Sequence, residues 1–317
     1  MLKADDQVNE AAMPAVLPWE CSQEEITAMA AGQVHSTEVL HWLARAERVK
    51  HPHAGGHTTL HHWVPVQPNG LAPVVLFHGG SGSWTHWVRS LGPLLAAGHE
   101  VWAVDLPGFG ASDVPPGVVD ADGMLPVLAD VLQAQFPLQS VRLMGFSFGG
   151  MTAGMLAAAY PCLVQQLIVV GAPGIGLTNK HPFRLKGWRH LEDPAEQLLH
   201  HIYNLGELMV HDRSCIDRDT VALHVANVRC DHLPRRRISS TDILVRSLAQ
   251  VECPVAAIYG ENDALYPGTL GEVEALMAAN ARHWQGLQRI AGAGHWVQYE
   301  APAAFHVAVM PLLAVTC

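Results

Sequence analysis

Short runs dominated by apolar side chains recur along the chain, separated by stretches with helical spacing. Residues 73–77, 100–104, 140–144, 166–170 and 254–259 are such runs, and 287–290 adds a shorter one. Runs of that length predict strands, and the most apolar of them predict strands covered on both faces. Between them, residues 86–97, 124–135, 150–160 and 270–279 read as helices, the first three stopped by Gly98, Pro137 and Pro161. A last helix should begin near Pro302, a favoured first-turn residue, and end or kink at Pro311. Upstream, residues 47–51 and 58–64 flank Gly55-Gly56 and predict a hairpin. Strands alternating with helices imply an α/β fold: a mostly parallel sheet with helices on both faces.

The rhythm fails in two places. From 175 to 250 the chain is more charged and helical and holds none of the apolar β runs, which predicts a helical cap inserted between two strands. Residues 1–45 have mixed polarity and a single amphipathic helix over 23–31, and read as an N-terminal extension. The division is therefore an extension (1–45), a core in two parts (46–174 and 251–317) and a cap (175–250).

Composition narrows the possibilities. A chain of 317 residues, 49% hydrophobic and 15% charged, can bury a large core. A net charge of −10 disfavours a nucleic-acid partner, because phosphate binding needs a basic surface. The one dense basic cluster, Arg235-Arg236-Arg237, reads as a solvated face. No stretch approaches the ~20 apolar residues that span a bilayer, and the N-terminus lacks a cationic start followed by an apolar run. A cytoplasmic protein with no membrane partner is the expectation. The six cysteines show no C-x-x-C spacing and read as free thiols. Histidines cluster at 51, 53 and 57, at 61–62 and at 200–201, but no cysteine or carboxylate pattern joins them, so no metal is expected.

Candidate chemistry centres on Gly145-Phe146-Ser147-Phe148-Gly149, between a predicted strand and a predicted helix. A serine on so tight a turn is held out beyond the strand, and small residues two places to either side let the backbone make it. A hydroxyl needs a base to act as a nucleophile. Ligands of parallel sheets bind beyond the strands' C-terminal ends. There His295, in Ala291-Gly292-Ala293-Gly294-His295-Trp296, is the favoured base. Asp263, after the strand at 254–259, is the favoured acid over Glu261, Asp231 and Asp242. An oxyanion needs backbone N–H donors: Phe148, directly after the serine, and Gly80, in the glycine-rich loop after residues 73–77. That loop lacks G-x-G-x-x-G opening a helix and any G-K-[ST], which argues against a nucleotide.

With His78-Gly79-Gly80, Asp105-Leu106-Pro107-Gly108-Phe109-Gly110 and the order Ser, Asp, His, residues 46–317 resemble the α/β-hydrolase fold family. The resemblance implies Ser147 as nucleophile, Asp263 as acid, His295 as base, and Gly80 and Phe148 as oxyanion donors. It also implies a cap over the pocket of a small-molecule substrate, no cofactor, no metal, and structural roles for Asp105 and Asp113. Serine at 147 sets the chain apart from the haloalkane dehalogenase and epoxide hydrolase branches, which need Asp there. The stretch from Gly294 to Glu300 resembles the histidine region of carbon–carbon hydrolases that cleave ring-fission products of aromatic degradation. Those enzymes carry Asn-Ser-Met where this chain has Phe146-Ser147-Phe148. Phe146, Phe148, Trp84, Trp87 and Trp296 suggest an apolar or aromatic pocket, Trp87 reading rather as core, with Gly79, Phe146 and Trp296 as substrate contacts. The expected reaction is hydrolysis of a carboxylic ester of a small apolar or aromatic substrate through an acyl-enzyme. The alternatives are carbon–carbon hydrolysis of an acid held by Arg184, Arg189 or one of Arg235–Arg237, and a non-catalytic receptor on the same fold.

Overall fold

Eight strands form one sheet in a computed structural model that describes residues 13–177 and 183–314. Two helices, α1 (Gln23–Ala30) and α2 (Thr37–Leu43), precede the hairpin β1 (Glu47–His53) and β2 (Gly56–Trp63). There follow β3 (Val74–Phe77), α3 (Val88–Ala96), β4 (Val101–Val104), α4 (Ala121–Gln135), β5 (Val141–Phe146), α5 (Phe148–Ala159) and β6 (Val164–Val170). Three helices, α6 (Pro194–Asn204), α7 (Arg218–Arg229) and α8 (Ile243–Leu248), lie between β6 and β7 (Val255–Gly260). The chain closes with α9 (Leu270–Asn280), β8 (Trp284–Ile290), α10 (Val297–Glu300) and α11 (Pro302–Leu313). The strand order is β1-β2-β4-β3-β5-β6-β7-β8, antiparallel for β1/β2 and β2/β4 and parallel elsewhere.

The central strands are apolar without alternation because each face meets a separate core. Val75 and Phe77 of β3 enter one core with α4 and α5, while Val74 and Leu76 enter the other with α3 and α11. Val255, Ala257 and Tyr259 of β7 likewise face away from Ala256 and Ile258. Both sets are withdrawn from water, and burying apolar area on two sides is what holds a parallel sheet.

Several elements differ from the pattern-based expectation, α2, β8 and α11 among them. α2 is additional; it spans only seven residues and is started by Ser36, whose side chain accepts the Val39 N–H. β8 begins at Trp284 rather than 287. α11 continues through Pro311 to Leu313. Pro311 costs the hydrogen bond to the carbonyl of residue 307, but Val307 lies on the exposed side, where water can take that bond. Val309 and Leu313, both fully buried, hold the last turn down.

α1 packs against α6 and α7, and α2 against α3, so residues 23–43 touch both the inserted helices and the body. Met29, Ala30 and Val39 are buried there. Arg218 pairs with Glu25 at 3.1 Å, Arg229 Nε donates to the Ala30 carbonyl, and Trp63 Nε1 donates to the Trp42 carbonyl at 2.9 Å. Among the described residues, no helix is long and apolar enough to cross a membrane.

β5 enters α5 through one residue, Ser147, with φ 50° and ψ −121°. A Cβ on Gly149 would stand 2.3 Å from the His78 carbonyl oxygen and 2.7 Å from that of Phe77. One on Gly145 would stand 2.3 Å from the Gly149 carbonyl oxygen. The turn therefore closes only because both flanking positions lack a side chain. Gly149→Ala should destabilise the protein by about 3 kcal/mol, the upper range for overpacking against a fixed backbone. Urea unfolding would measure this, and a change within experimental error would mean that the end of β3 can yield.

Candidate active site

The turn after β5 points Ser147 beyond the sheet while the body holds its backbone. Its N–H donates to the Val170 carbonyl at 2.7 Å, and its carbonyl accepts from Gly150 and Met151. Ser147 Oγ lies 2.9 Å from His295 Nε2. His295 Nδ1 lies 2.9 Å from both carboxylate oxygens of Asp263. Asp263 is fully buried, and its Oδ1 also accepts the Leu265 N–H at 2.9 Å. A carboxylate on Nδ1–H leaves Nε2 free to accept the serine proton, the arrangement that makes a hydroxyl nucleophilic. Gly171, at φ 55°, ends β6 beside this pair; a Cβ there would stand 3.2 Å from both Asp263 Oδ2 and His295 Nδ1.

The loop carrying His295 is fixed from outside the sheet. Trp296 N–H donates to the Met209 carbonyl at 2.6 Å. Glu300 accepts from the Gly294 N–H at 2.6 Å and from the N–H groups of His211 and Asp212 at 2.9 and 2.6 Å. One carboxylate thus joins the histidine loop to the segment after α6.

Facing Ser147 is the loop after β3, which two buried imidazoles shape. His78 Nδ1–H donates to the Gly79 carbonyl at 2.7 Å, and its Nε2 accepts the Leu106 N–H at 2.9 Å. His86 Nδ1 accepts the Gly79 N–H at 3.1 Å. Burial lowers the pKa of both rings, so they serve as neutral acceptors. Gly79 is consequently engaged at both ends, whereas among the described residues the N–H groups of Gly80 and Phe148 have no partner. A Cβ on Gly80 would stand 3.6 Å from that of Phe148, so the two donors are neighbours. Phe148 also begins α5, where the helix dipole favours negative charge. Behind the loop, Asp105 Oδ1 accepts the Trp84 N–H at 2.8 Å and Oδ2 the Ala111 N–H at 3.0 Å. Asp113 accepts the His57 N–H at 2.9 Å.

A cavity of about 480 Å³ opens beside this loop, with Gly80, Ser81, His86, Trp188, His201 and His224 among its walls. His201 packs against Trp188 at 4.8 Å and His224 at 5.3 Å. Among the described residues neither ring nitrogen of His201 has a hydrogen-bond partner. Burial pushes the pKa of His201 down to about 2, helped by His224 and Arg229, and that of His224 down to about 4. The His201 and His224 side of the wall is therefore polar and uncharged at neutral pH, while Lys186, Arg189 and Asp231 also line the cavity.

The three residues expected to contact substrate, Gly79, Phe146 and Trp296, do not line this cavity, and neither do Ser147 and His295. Phe146 and Trp296 are fully buried. The Phe146 ring packs on His295 at 5.0 Å, and a Cβ on Gly79 would meet its edge at 2.8 Å. Trp296 stacks on Tyr299 at 3.9 Å and donates Nε1–H to the His86 carbonyl at 3.0 Å. Both side chains face the core below the serine and support the imidazoles. Gly79 is buried by its own hydrogen bonds. Asp231 and Arg236 also depart from expectation: they form a half-buried pair at 2.8 Å, and Arg236 is no part of a solvated face. Sequence reasoning passed over His86, His224 and Glu300 and met His201 only as half of the pair at 200–201; nothing in the sequence marks these rings as the ones that line a cavity. Among the described residues no group of three or more histidine, cysteine or acidic side chains could hold a metal ion.

Comparison with known proteins gives the same picture of the body. The family described as alpha/beta hydrolase fold matches residues 72–202. A 2-hydroxy-6-oxononadienedioate/2-hydroxy-6-oxononatrienedioate hydrolase of Cupriavidus pinatubonensis is 28% identical over 260 residues, covering 77% of this chain and 87% of the relative. A 2-hydroxy-6-oxo-6-phenylhexa-2,4-dienoate hydrolase of Burkholderia cepacia is 27% identical, covering 76% and 87%. Among solved structures, the naproxen esterase of Bacillus subtilis superposes with a TM-score of 0.66 over 93% of this chain and 99% of its own, at 17% identity.

The neutral imidazoles make stability depend on pH. His201 and His224 titrate near 6.5 when unfolded and at about 2 and about 4 when folded. A folded pKa below the unfolded one gives stability that is whole above pH 6.5 and is lost as the pH falls toward the folded value. At pH 5, His201 alone should cost about 2 kcal/mol relative to pH 7.5. His201→Leu should flatten this loss in urea unfolding at the two pH values; an unchanged slope would show that the ring is protonated in the fold.

Proposed function

We propose that this chain, a hydrolase of the α/β-hydrolase fold, cleaves a carboxylic ester of a small substrate through an acyl-enzyme on Ser147. The observation that carries the reading is the unbroken line Ser147–His295–Asp263, at 2.9 Å per step, facing two backbone N–H groups with no partner among the described residues. In this mechanism His295 Nε2 takes the hydroxyl proton as Oγ attacks the carbonyl carbon. Asp263 stabilises the resulting imidazolium and keeps the proton on Nδ1. The carbonyl oxygen becomes an oxyanion and accepts from Gly80 and Phe148, interactions that strengthen only as charge develops. Collapse expels the alcohol with the proton from His295, and a water deprotonated by the same ring releases the acid.

The imidazole side of the cavity wall favours an uncharged substrate. Its imidazoles are neutral, and the nearby Arg236 is already neutralised by Asp231. A second reading, carbon–carbon hydrolysis of a dienoate, draws on the names of the relatives and on two cations at the outer wall, Lys186 and Arg189. Lys186 Nζ stands 4.9 Å from the Tyr203 ring, and the Arg189 guanidinium 4.6 Å from that of Trp188. Arg184 is exposed.

Ser147→Ala should lower turnover of a p-nitrophenyl ester by at least about 10³-fold with an unchanged circular dichroism spectrum, and should abolish labelling by a fluorophosphonate probe. Residual activity near the wild-type value would remove Ser147 from the reaction, and a wild-type protein that does not label would favour a receptor. A kcat/KM for a ring-fission dienoate far above that for esters would decide for the second reading.

A further inference from the structure

We propose that Asp231 and Arg236, carried by the segment between α7 and α8, are positioning residues that hold the loop after β3 in the shape that turns the Gly80 N–H toward the reacting carbonyl. The proposal rests on the serine-hydrolase reading above. Its starting point is Ser81. Among the described residues only two besides glycine have positive φ, Ser147 and Ser81, each at 50°. A side chain in that region is strained and persists only where the surroundings over-determine it. At Ser147 the closed turn provides the restraint. At Ser81 the restraint is a side chain 150 positions away: Ser81 Oγ donates to Asp231 Oδ2 at 2.5 Å.

Asp231 is itself fixed. Its Oδ1 accepts the Leu233 N–H at 2.9 Å and Arg236 Nη1 at 2.8 Å, and its Oδ2 accepts Arg236 Nη2 at 3.0 Å. Arg236 Nη1 also donates to the Leu233 carbonyl. The guanidinium lies over the rings of Phe109 and Phe148, at 4.8 and 5.2 Å. A Cβ on Gly80 would stand 3.4 Å from Arg236 Nη2. The ion pair therefore touches both the loop with one donor and the side chain of the residue that supplies the other. Burial raises the Asp231 pKa, but Arg236 and Ser81 outweigh it and keep the group a carboxylate.

The loop is thus held from two directions. His78 and His86 of the body fix Gly79. Asp231 fixes Ser81, and Gly80 lies between the two anchors. Arg236 is paired with Asp231, so the two carry no net charge beside the loop, and the effect assigned to them passes through the backbone of residues 79–81. Removing it should loosen an interaction made mainly in the transition state, which lowers kcat and leaves KM nearly unchanged.

Two substitutions at one position separate this role from a merely structural one. Ser81→Ala keeps a side chain at positive φ and loses the bond to Asp231, whereas Ser81→Gly loses the same bond but adopts that φ freely. On p-nitrophenyl ester, Ser81→Ala should lose about 30-fold or more in kcat with KM within about threefold, and Ser81→Gly about fivefold or less. Asp231→Ala should behave as Ser81→Ala does, and its effect should shrink to about threefold in the Ser81→Gly background, a coupling that a double-mutant cycle measures without depending on any one variant. Equal kcat for the alanine and glycine variants, or an Asp231→Ala effect that is the same in both backgrounds, would overturn the proposal while fluorophosphonate labelling of the wild type leaves the hydrolase reading standing. A wild-type protein that neither labels nor turns over ester would overturn both.

Discussion

The contact between Gly149 and the end of β3 is the constraint on which the site depends. The carbonyl groups of Phe77 and His78 come so near the start of α5 that no Cβ fits between them. That closeness sets the hand of the turn at Ser147, leaves the Phe148 N–H at a helix start with no partner among the described residues, and brings the loop after β3 beside it. The His295–Asp263 pair meets the serine from the far side, through the gap left by Gly171. Nucleophile, base and both donors are thus located relative to one another by backbone packed against backbone, which tolerates less displacement than side-chain contacts do.

Much of this was legible in the sequence, for a physical reason. Strands buried on both faces must be apolar throughout, so residues 73–77 and 254–259 announce themselves. A parallel sheet exposes its ligands at one edge, so Ser147, Asp263 and His295 could be sought at the ends of particular strands. The orientation of Phe146 and Trp296 could not be read, because where both faces of a strand are apolar its two-residue period does not say which face meets a pocket. α2 is two turns long, too short for a helical period to declare itself. The bond between Ser81 and Asp231 spans 150 residues, and Arg235-Arg236-Arg237 looks like any solvated basic triplet until the fold shows that the middle arginine turns inward.

Buried imidazoles give this protein much of its polar interior. Two of them accept or donate to loop backbone, and three line the cavity, all lowered in pKa chiefly by burial. An imidazole kept neutral is an amphoteric wall: it can offer a donor or an acceptor without imposing a charge. The carboxylates near the reacting centre have fixed partners instead: Asp263 is hydrogen-bonded to His295, and Asp231 is paired with Arg236.

The two helices ahead of the first strand give the inserted helices a different mechanical character. α1 grips α6 and α7 while α2 grips α3 of the body, with Glu25 and the Ala30 carbonyl fastened to arginines of α7. The region above the sheet is therefore buttressed at a point far from its own two hinges. Moving α6 and α7 away from the sheet would have to break the contacts of α1 with them or those of α2 with α3, a cost that two bare linkers would not impose.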